Sequence, residues 1–337
     1  MNAYQRVMAA VSFQPVDKVP VCPFVMAFAA EFAGIPYGRY CTDYRFMATA
    51  QAACVKHFGY DIVTADTDAY REAEACGAQL DFPDDDLPVE RRPALPERND
   101  FSSLSMPDVY KAARLADKIA GVRELKRLVG REIPVLGWVE APFQSAAILR
   151  GSSNFLLDLY DAPEFTAGLL DFTAELAIAF GRAQIEAGAD IIGLGDALAS
   201  LISETDYRQT AFLPAKRVIE SLQSAGARVK YHICGDSNHL LNNIAGLKAD
   251  IVNVDEKVDL SRARSVLRDT CLKGNISPSA VLLQGKVDQV LTAAGQCMRT
   301  GGRGYILSPG CEVPRHTPVA NFAALIRARD EYTACGS

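Results

Sequence analysis

The sequence predicts a closed parallel (β/α)8 barrel formed by all 337 residues as one domain. Three observations carry that expectation. Eight short apolar runs rich in Val and Ile recur along the chain, helical patterns separate them, and no shift in composition divides the sequence. An open doubly wound sheet is the competing arrangement. Its usual mark is missing, because no run passes through a Gly-x-Gly-x-x-Gly turn into a helix; Gly301-Gly302-x-Gly304 precedes a strand instead.

The predicted strands lie at 19–24, 60–66, 133–140, 189–196, 228–235, 249–255, 271–277 and 304–311. Each is four to eight residues long, as expected of strands buried on both faces. Apolar spacings of three and four predict helices at 2–11, 43–58, 107–129, 162–187, 205–225, 237–247, 261–267 and 279–300. The first is an N-terminal helix ahead of the barrel. The stretch 67–132 lacks a predicted strand and contains a Pro- and Asp-rich loop at 82–105, which suits either a lid over the barrel mouth or a surface excursion.

Composition narrows the function. Apolar residues make up 49% and charged residues 23%, the balance of an ordinary globular protein. The 35 Lys and Arg against 41 Asp and Glu give a net charge of −6, and no like-charge block exceeds Asp84-Asp85-Asp86. Broad capture of nucleic acid or of an anionic membrane is therefore not expected. The apolar run at 19–30 contains Pro20 and Pro23, stops at Glu31 and is too short to span a bilayer. With no apolar leader at its start, the chain is expected to be soluble and cytoplasmic. Nine scattered cysteines, an odd number, read as thiols and not as a disulfide framework.

A barrel places chemistry at the C-terminal ends of its strands. Those ends carry Asp66 and Asp68, Glu140, Asp196, His232 with Cys234, Asp255, Asn275, and Cys311. The opposite ends offer prolines, Ala-Asp pairs and basic residues. His232 and Cys234 stand two apart on one strand, so both face the barrel interior, with backbones about 7 Å apart. Cys311, after the last strand, projects onto the same mouth. One imidazole and two thiolates suit Zn²⁺ better than Mg²⁺ or Ca²⁺. A satisfied core His–Cys pair is the plainer alternative, and a purely structural zinc site would ordinarily use short Cys-x2–4-Cys knuckles, which are absent. Asp255 is a candidate for a fourth ligand position that a substrate displaces, or for a role behind the ligands.

At His232-Ile233-Cys234-Gly235 with Cys311, the chain resembles the uroporphyrinogen decarboxylase superfamily, and within it the zinc-dependent methylcobamide:coenzyme M methyltransferase branch. Arg6-Val7-Met8-Ala9-Ala10 with Asp17-Lys18-Val19-Pro20-Val21, Glu140-Ala141-Pro142-Phe143 with Gly151, Gly188-Ala189-Asp190 leading to Asp196, and Ser308-Pro309-Gly310-Cys311 with Thr317-Pro318 extend the resemblance over nearly the whole chain. It implies a (β/α)8 barrel and zinc on His232, Cys234 and Cys311, with Asp255 at the position of an acidic fourth ligand that relatives often fill with Glu. The decarboxylases proper carry an Arg-rich segment after the first strand, whereas 20–36 here has no Arg or Lys. Asp68 does match their essential aspartate by its spacing to Glu74-x-x-Gly77.

The resemblance implies methyl transfer from a methylated corrinoid, supplied on a partner protein, to a thiol such as coenzyme M. A zinc-bound thiolate would attack the methyl group in line, and the corrinoid would leave as Co(I). Glu140 and Asp196 would orient the acceptor or take its proton, or serve only as strand-end caps and ion-pair partners. Three alternatives remain open at this stage. The protein could move a methyl group from a small donor, such as a methoxylated aromatic or a methylamine, to a Co(I) corrinoid protein. It could act as a uroporphyrinogen decarboxylase without metal, or as a non-catalytic zinc or corrinoid binder.

Overall fold

Parallel strands form wherever the Val- and Ile-rich runs can be buried on both faces, and here they curl into a barrel. A computed structural model describes the backbone of residues 1–336 and the side chains of all of these but 100, 103 and 333–336, so Cys335 lies outside the described side chains. The strands are β1 (Val63–Thr64), β2 (Gln79–Asp81), β3 (Val89–Arg92), β4 (Val135–Glu140), β5 (Ile191–Gly195), β6 (Arg228–Ile233), β7 (Ile251–Val254), β8 (Cys271–Ile276) and β9 (Tyr305–Pro309). Seven of them form one parallel sheet in the order β1-β4-β5-β6-β7-β8-β9, and β2 and β3 form a separate antiparallel hairpin.

The eighth stave is the run at 19–24, reduced to two isolated bridges, Val21 with Leu307 and Phe24 with Glu312. Pro20 and Pro23 lack N–H groups, which prevents a continuous ladder. The stave nevertheless closes the barrel. Leu307 N donates to Pro20 O (2.9 Å) and Cys22 N to Leu307 O (3.0 Å) on one side, and Asp61 N donates to Val21 O (2.8 Å) on the other.

The N-terminal ends of the strands are held by a repeated device. Asp61, Asp190 and Asp250 each precede an Ile that enters a strand, and each carboxylate accepts the backbone N–H of the neighbouring stave: Val21 (2.8 Å), Val135 (2.9 Å) and Val229 (2.9 Å). A cation balances each one: Arg6 on Asp61 (2.6 Å), Lys126 on Asp190 (2.8 Å) and Arg228 on Asp250 (2.8 Å). Charge at this end therefore secures the barrel and leaves the opposite mouth for chemistry.

The helices depart from expectation where local chemistry intervenes. The stretch expected as one helix at 205–225 is two, Glu204–Gln209 and Phe212–Ser224. Pro214 is tolerated only in a first turn, so the second helix restarts just before it. The expected helix at 279–300 is a π-turn at Pro278–Leu283 followed by Val287–Gly301. Helices Ala27–Phe32, Tyr37–Thr42, Arg71–Ala75, Pro142–Arg150, Ser152–Asp161 and Val319–Gly336 were not predicted. Among the described residues no helix is long and apolar enough to cross a membrane.

Candidate functional site

The staggered parallel register brings the polar strand ends to one mouth. Glu140 pairs with Gly195, Gly195 with His232, and His232 with Asn253 across β4 to β7. His232 and Cys234 emerge on the same side of β6, as the period of two requires. Cys311 arrives from the turn after β9. Gly310 makes this approach possible, because a Cβ there would overlap the backbone nitrogen of Glu256.

His232, Cys234 and Cys311 gather so that one ligand atom from each lies within 4.8 Å of the others. His232 Nε2 is 3.1 Å from Cys234 Sγ, and the two sulfurs are 3.5 Å apart. The carbonyl of Asn253, which can only accept, lies 3.0 Å from His232 Nδ1. The proton therefore resides on Nδ1, and Nε2 presents its lone pair to the thiols. Asn253 is held in turn, with Nδ2 donating to Gly310 O (2.9 Å) and Oδ1 accepting from Lys273 Nζ. The two thiols share a proton: bonding to Cys234 brings Cys311 well below the usual thiol range, while Cys311 and burial hold Cys234 up.

Beside the cluster lies a cavity of about 170 Å³ lined by Phe24, Met26, Trp138, Glu140, Asp196 and Glu312, among others. Trp138 fits because β5 carries Gly193 and Gly195, where added Cβ atoms would overlap its ring. Its Nε1 donates to Glu140 Oε1 (2.8 Å). Burial drives the Glu140 carboxyl well above the ordinary range, and nearby Glu72 and Asp66 push it further. Asp196 is fully buried. Burial raises its carboxyl to about 7 against the opposing hydrogen bond from Tyr231 (2.6 Å). Burial also lifts Glu312, next to Cys311, to about 8.

Asp68 lines the same cavity but is committed elsewhere. It pairs with Arg114 and accepts from Thr67 Oγ1 (2.7 Å) and Tyr70 N (3.0 Å). Burial alone would raise its carboxyl, but the Arg114 and Arg71 guanidiniums outweigh burial and bring it down. Asp255 stands outside the His–Cys–Cys group, and its Oδ1 accepts from Lys257 N (3.0 Å) within its own turn. The 82–105 segment reaches the rim, where Asp85 accepts from Tyr37 N and pairs with Arg315 (2.8 Å each), but none of its described residues lines the cavity. Sequence reasoning missed Trp138, Glu312, Asn253, Lys273 and Tyr231. A period-two reading from Glu140 would have found Trp138, and adjacency to Cys311 would have found Glu312. The other three are visible only once strands are paired.

Comparison with known proteins adds to this geometry. The profile of the family described as Uroporphyrinogen decarboxylase (URO-D) matches residues 2–332. The methylcobamide:CoM methyltransferase MtaA of Methanosarcina barkeri is 29% identical over 340 residues, covering 98% of each chain. A uroporphyrinogen decarboxylase of Coxiella burnetii is 28% identical over 357 residues, covering 97% of this chain and 95% of that one. A solved structure described as a methyltransferase from Methanosarcina mazei superposes with a TM-score of 0.91 at 26% identity, over 98% of this chain and 99% of the other.

Proposed function

The chain belongs to the uroporphyrinogen decarboxylase family, and on that premise we propose that it is a zinc-dependent methyltransferase, moving a methyl group from a methylated corrinoid on a partner protein to a small thiol. The observation that carries this reading is the convergence of His232, Cys234 and Cys311. Three protein donors with one side open to a cavity is the pattern of a catalytic zinc site, and the one-nitrogen, two-sulfur set suits that ion. When bound there, zinc would lower the pKa of an incoming thiol so that it binds as thiolate near neutral pH.

The chain's own residues supply the remainder. Asn253 fixes the tautomer of His232, and Lys273 fixes Asn253, so the donor atom is aimed before any ligand arrives. Glu140 Oε1 accepts from Trp138 Nε1, which fixes this carboxyl at the cavity wall. Asp196 titrates near neutral pH and is the carboxyl able to accept a hydrogen bond from a molecule in the cavity. Trp138 and Phe24 exclude water from that side of the cavity. Asp68, clamped by Arg114, is not free for the proton chemistry a decarboxylase would ask of it.

Metal analysis of the purified protein tests the reading. About one zinc per chain is expected, lost in Cys234→Ala and Cys311→Ala together with thiol methylation from methylcobalamin. Zinc-edge absorption is expected to show the sulfur count rising from about two to about three when thiol is added. A preparation active without zinc would end the proposal. Following the corrinoid spectrum with candidate donors and acceptors separates this direction of transfer from its reverse.

A further inference from the structure

The cavity beside the cluster is walled by five carboxyl side chains, Asp66, Asp68, Glu140, Asp196 and Glu312, and by no lysine or arginine. Two of the cations behind those walls are held in ion pairs. Lys118 Nζ lies 2.6 Å from Asp66, and Arg114 pairs with Asp68 and Glu74. Two further lysines lie deeper in the barrel and line a separate small space. Lys273 donates to Asn253, and Lys230 sits 4.4 Å from the Trp138 ring centre and 4.9 Å from that of Phe24. An anionic group entering the cavity would lose its water beside these carboxyls, and Lys230, which has no ion pair among the described residues, lies against the rings of Trp138 and Phe24 outside the cavity lining.

Asp196 supplies a second, independent observation. Tyr207 donates to Tyr231 (2.9 Å), and Tyr231 donates to Asp196 Oδ2 (2.6 Å). The other oxygen, Oδ1, on a residue that lines the cavity, is buried and completes no hydrogen bond; the backbone N–H of Gln144 helps to hold this carboxyl down but does not complete one. Buried polar atoms are almost always satisfied, so an orphan acceptor beside an open space points to a ligand that satisfies it.

Building on the thiol-methylating reading above, we propose that the acceptor is a small thiol whose far end carries a hydrogen-bond donor and no negative charge, an amine or an alcohol, and that this donor binds Asp196 Oδ1. Thiols ending in a sulfonate, coenzyme M among them, or in a carboxylate are disfavoured by the same walls. Sulfur faces His232, Cys234 and Cys311, and the donor end lies along Trp138 toward Asp196.

Calorimetric titration of the purified holoprotein with 2-aminoethanethiol, 2-mercaptoethanol, 2-mercaptoethanesulfonate and 3-mercaptopropionate reads binding directly. The first two are expected to bind about tenfold or more tightly than the anionic pair, the difference one charge-assisted hydrogen bond supplies. Asp196→Asn is expected to weaken the amine about tenfold while leaving the sulfonate unchanged or improved, with folding checked by its melting curve. Tyr231→Phe retains the Oδ1 contact and is expected to keep the preference. Sulfonate binding equal to or tighter than amine and alcohol overturns the inference and leaves the methyl-transfer reading intact. Equal losses for all four thiols in Asp196→Asn also overturn it. Absence of binding by every thiol removes the methyl-transfer reading and this inference with it.

Discussion

His232 Nδ1 donates to the carbonyl of Asn253, its register partner on β7, at 3.0 Å. That bond sets which imidazole nitrogen faces the thiols, and it links the ligand cluster to Lys273 through the Asn253 side chain.

Lys273→Met removes the donor from Asn253 Oδ1 and frees the amide to turn away from Gly310. We expect zinc affinity to fall about 10- to 100-fold with the barrel intact, the usual cost of losing a partner behind a metal ligand. Competition with a chromophoric chelator measures it. Affinity equal to wild type would show that Asn253 needs no such support.

Gly310→Ala is expected to lose metal binding more completely than the removal of one methyl group elsewhere on the rim. The added Cβ would overlap the Glu256 backbone, so the turn that carries Cys311 must withdraw from β7. Metal content and the melting temperature of the variant report the two consequences separately.

Asp196 gives a pH signature with a defined sign. Its carboxyl stands at 3.8 when unperturbed and at about 7 in the folded protein. Between those values the folded state holds a proton that the unfolded state releases, so this group's stabilising contribution is complete below pH 4, declines as pH rises, and is gone above pH 7. Asp196→Asn lacks this dependence. Its melting temperature relative to wild type is expected to climb from pH 4 to pH 7 and then level off. A constant offset across that range would show that Asp196 is ionised throughout.

The Asp68–Arg114 pair is predicted to serve stability and not transfer. Arg114→Met leaves a buried carboxylate without its main partner and is expected to cost about 3–5 kcal/mol, read by chemical denaturation. Adding Asp68→Asn is expected to recover part of that loss. Asp68→Asn alone is expected to retain zinc, whereas a decarboxylase would be disabled by it.

Much of this was legible from residue order because it depends on short-range periodicity. Val- and Ile-rich runs marked every stave, and two-residue spacing placed His232 and Cys234 on one face. Where local chemistry competed with the pattern, as at Pro20 and Pro214, the element shortened or divided. Asp255 shows the limit: its position at a strand end was readable, but the bond that its Oδ1 accepts from Lys257 N is made within a loop whose path the pattern does not encode.

Taken alone, the sequence determined the barrel, the mouth at which polar groups collect and the residue types of the thiol–imidazole set. Tertiary structure decided three matters. It brought Cys311 to Cys234 across 77 positions, it raised the Glu140 and Asp196 carboxyls by burying them, and it left no lysine or arginine in the cavity lining. Each depends on distance and burial between residues remote in the chain. Desolvation and pairing act through space, so a residue's charge and reach are settled only when the strands close around it.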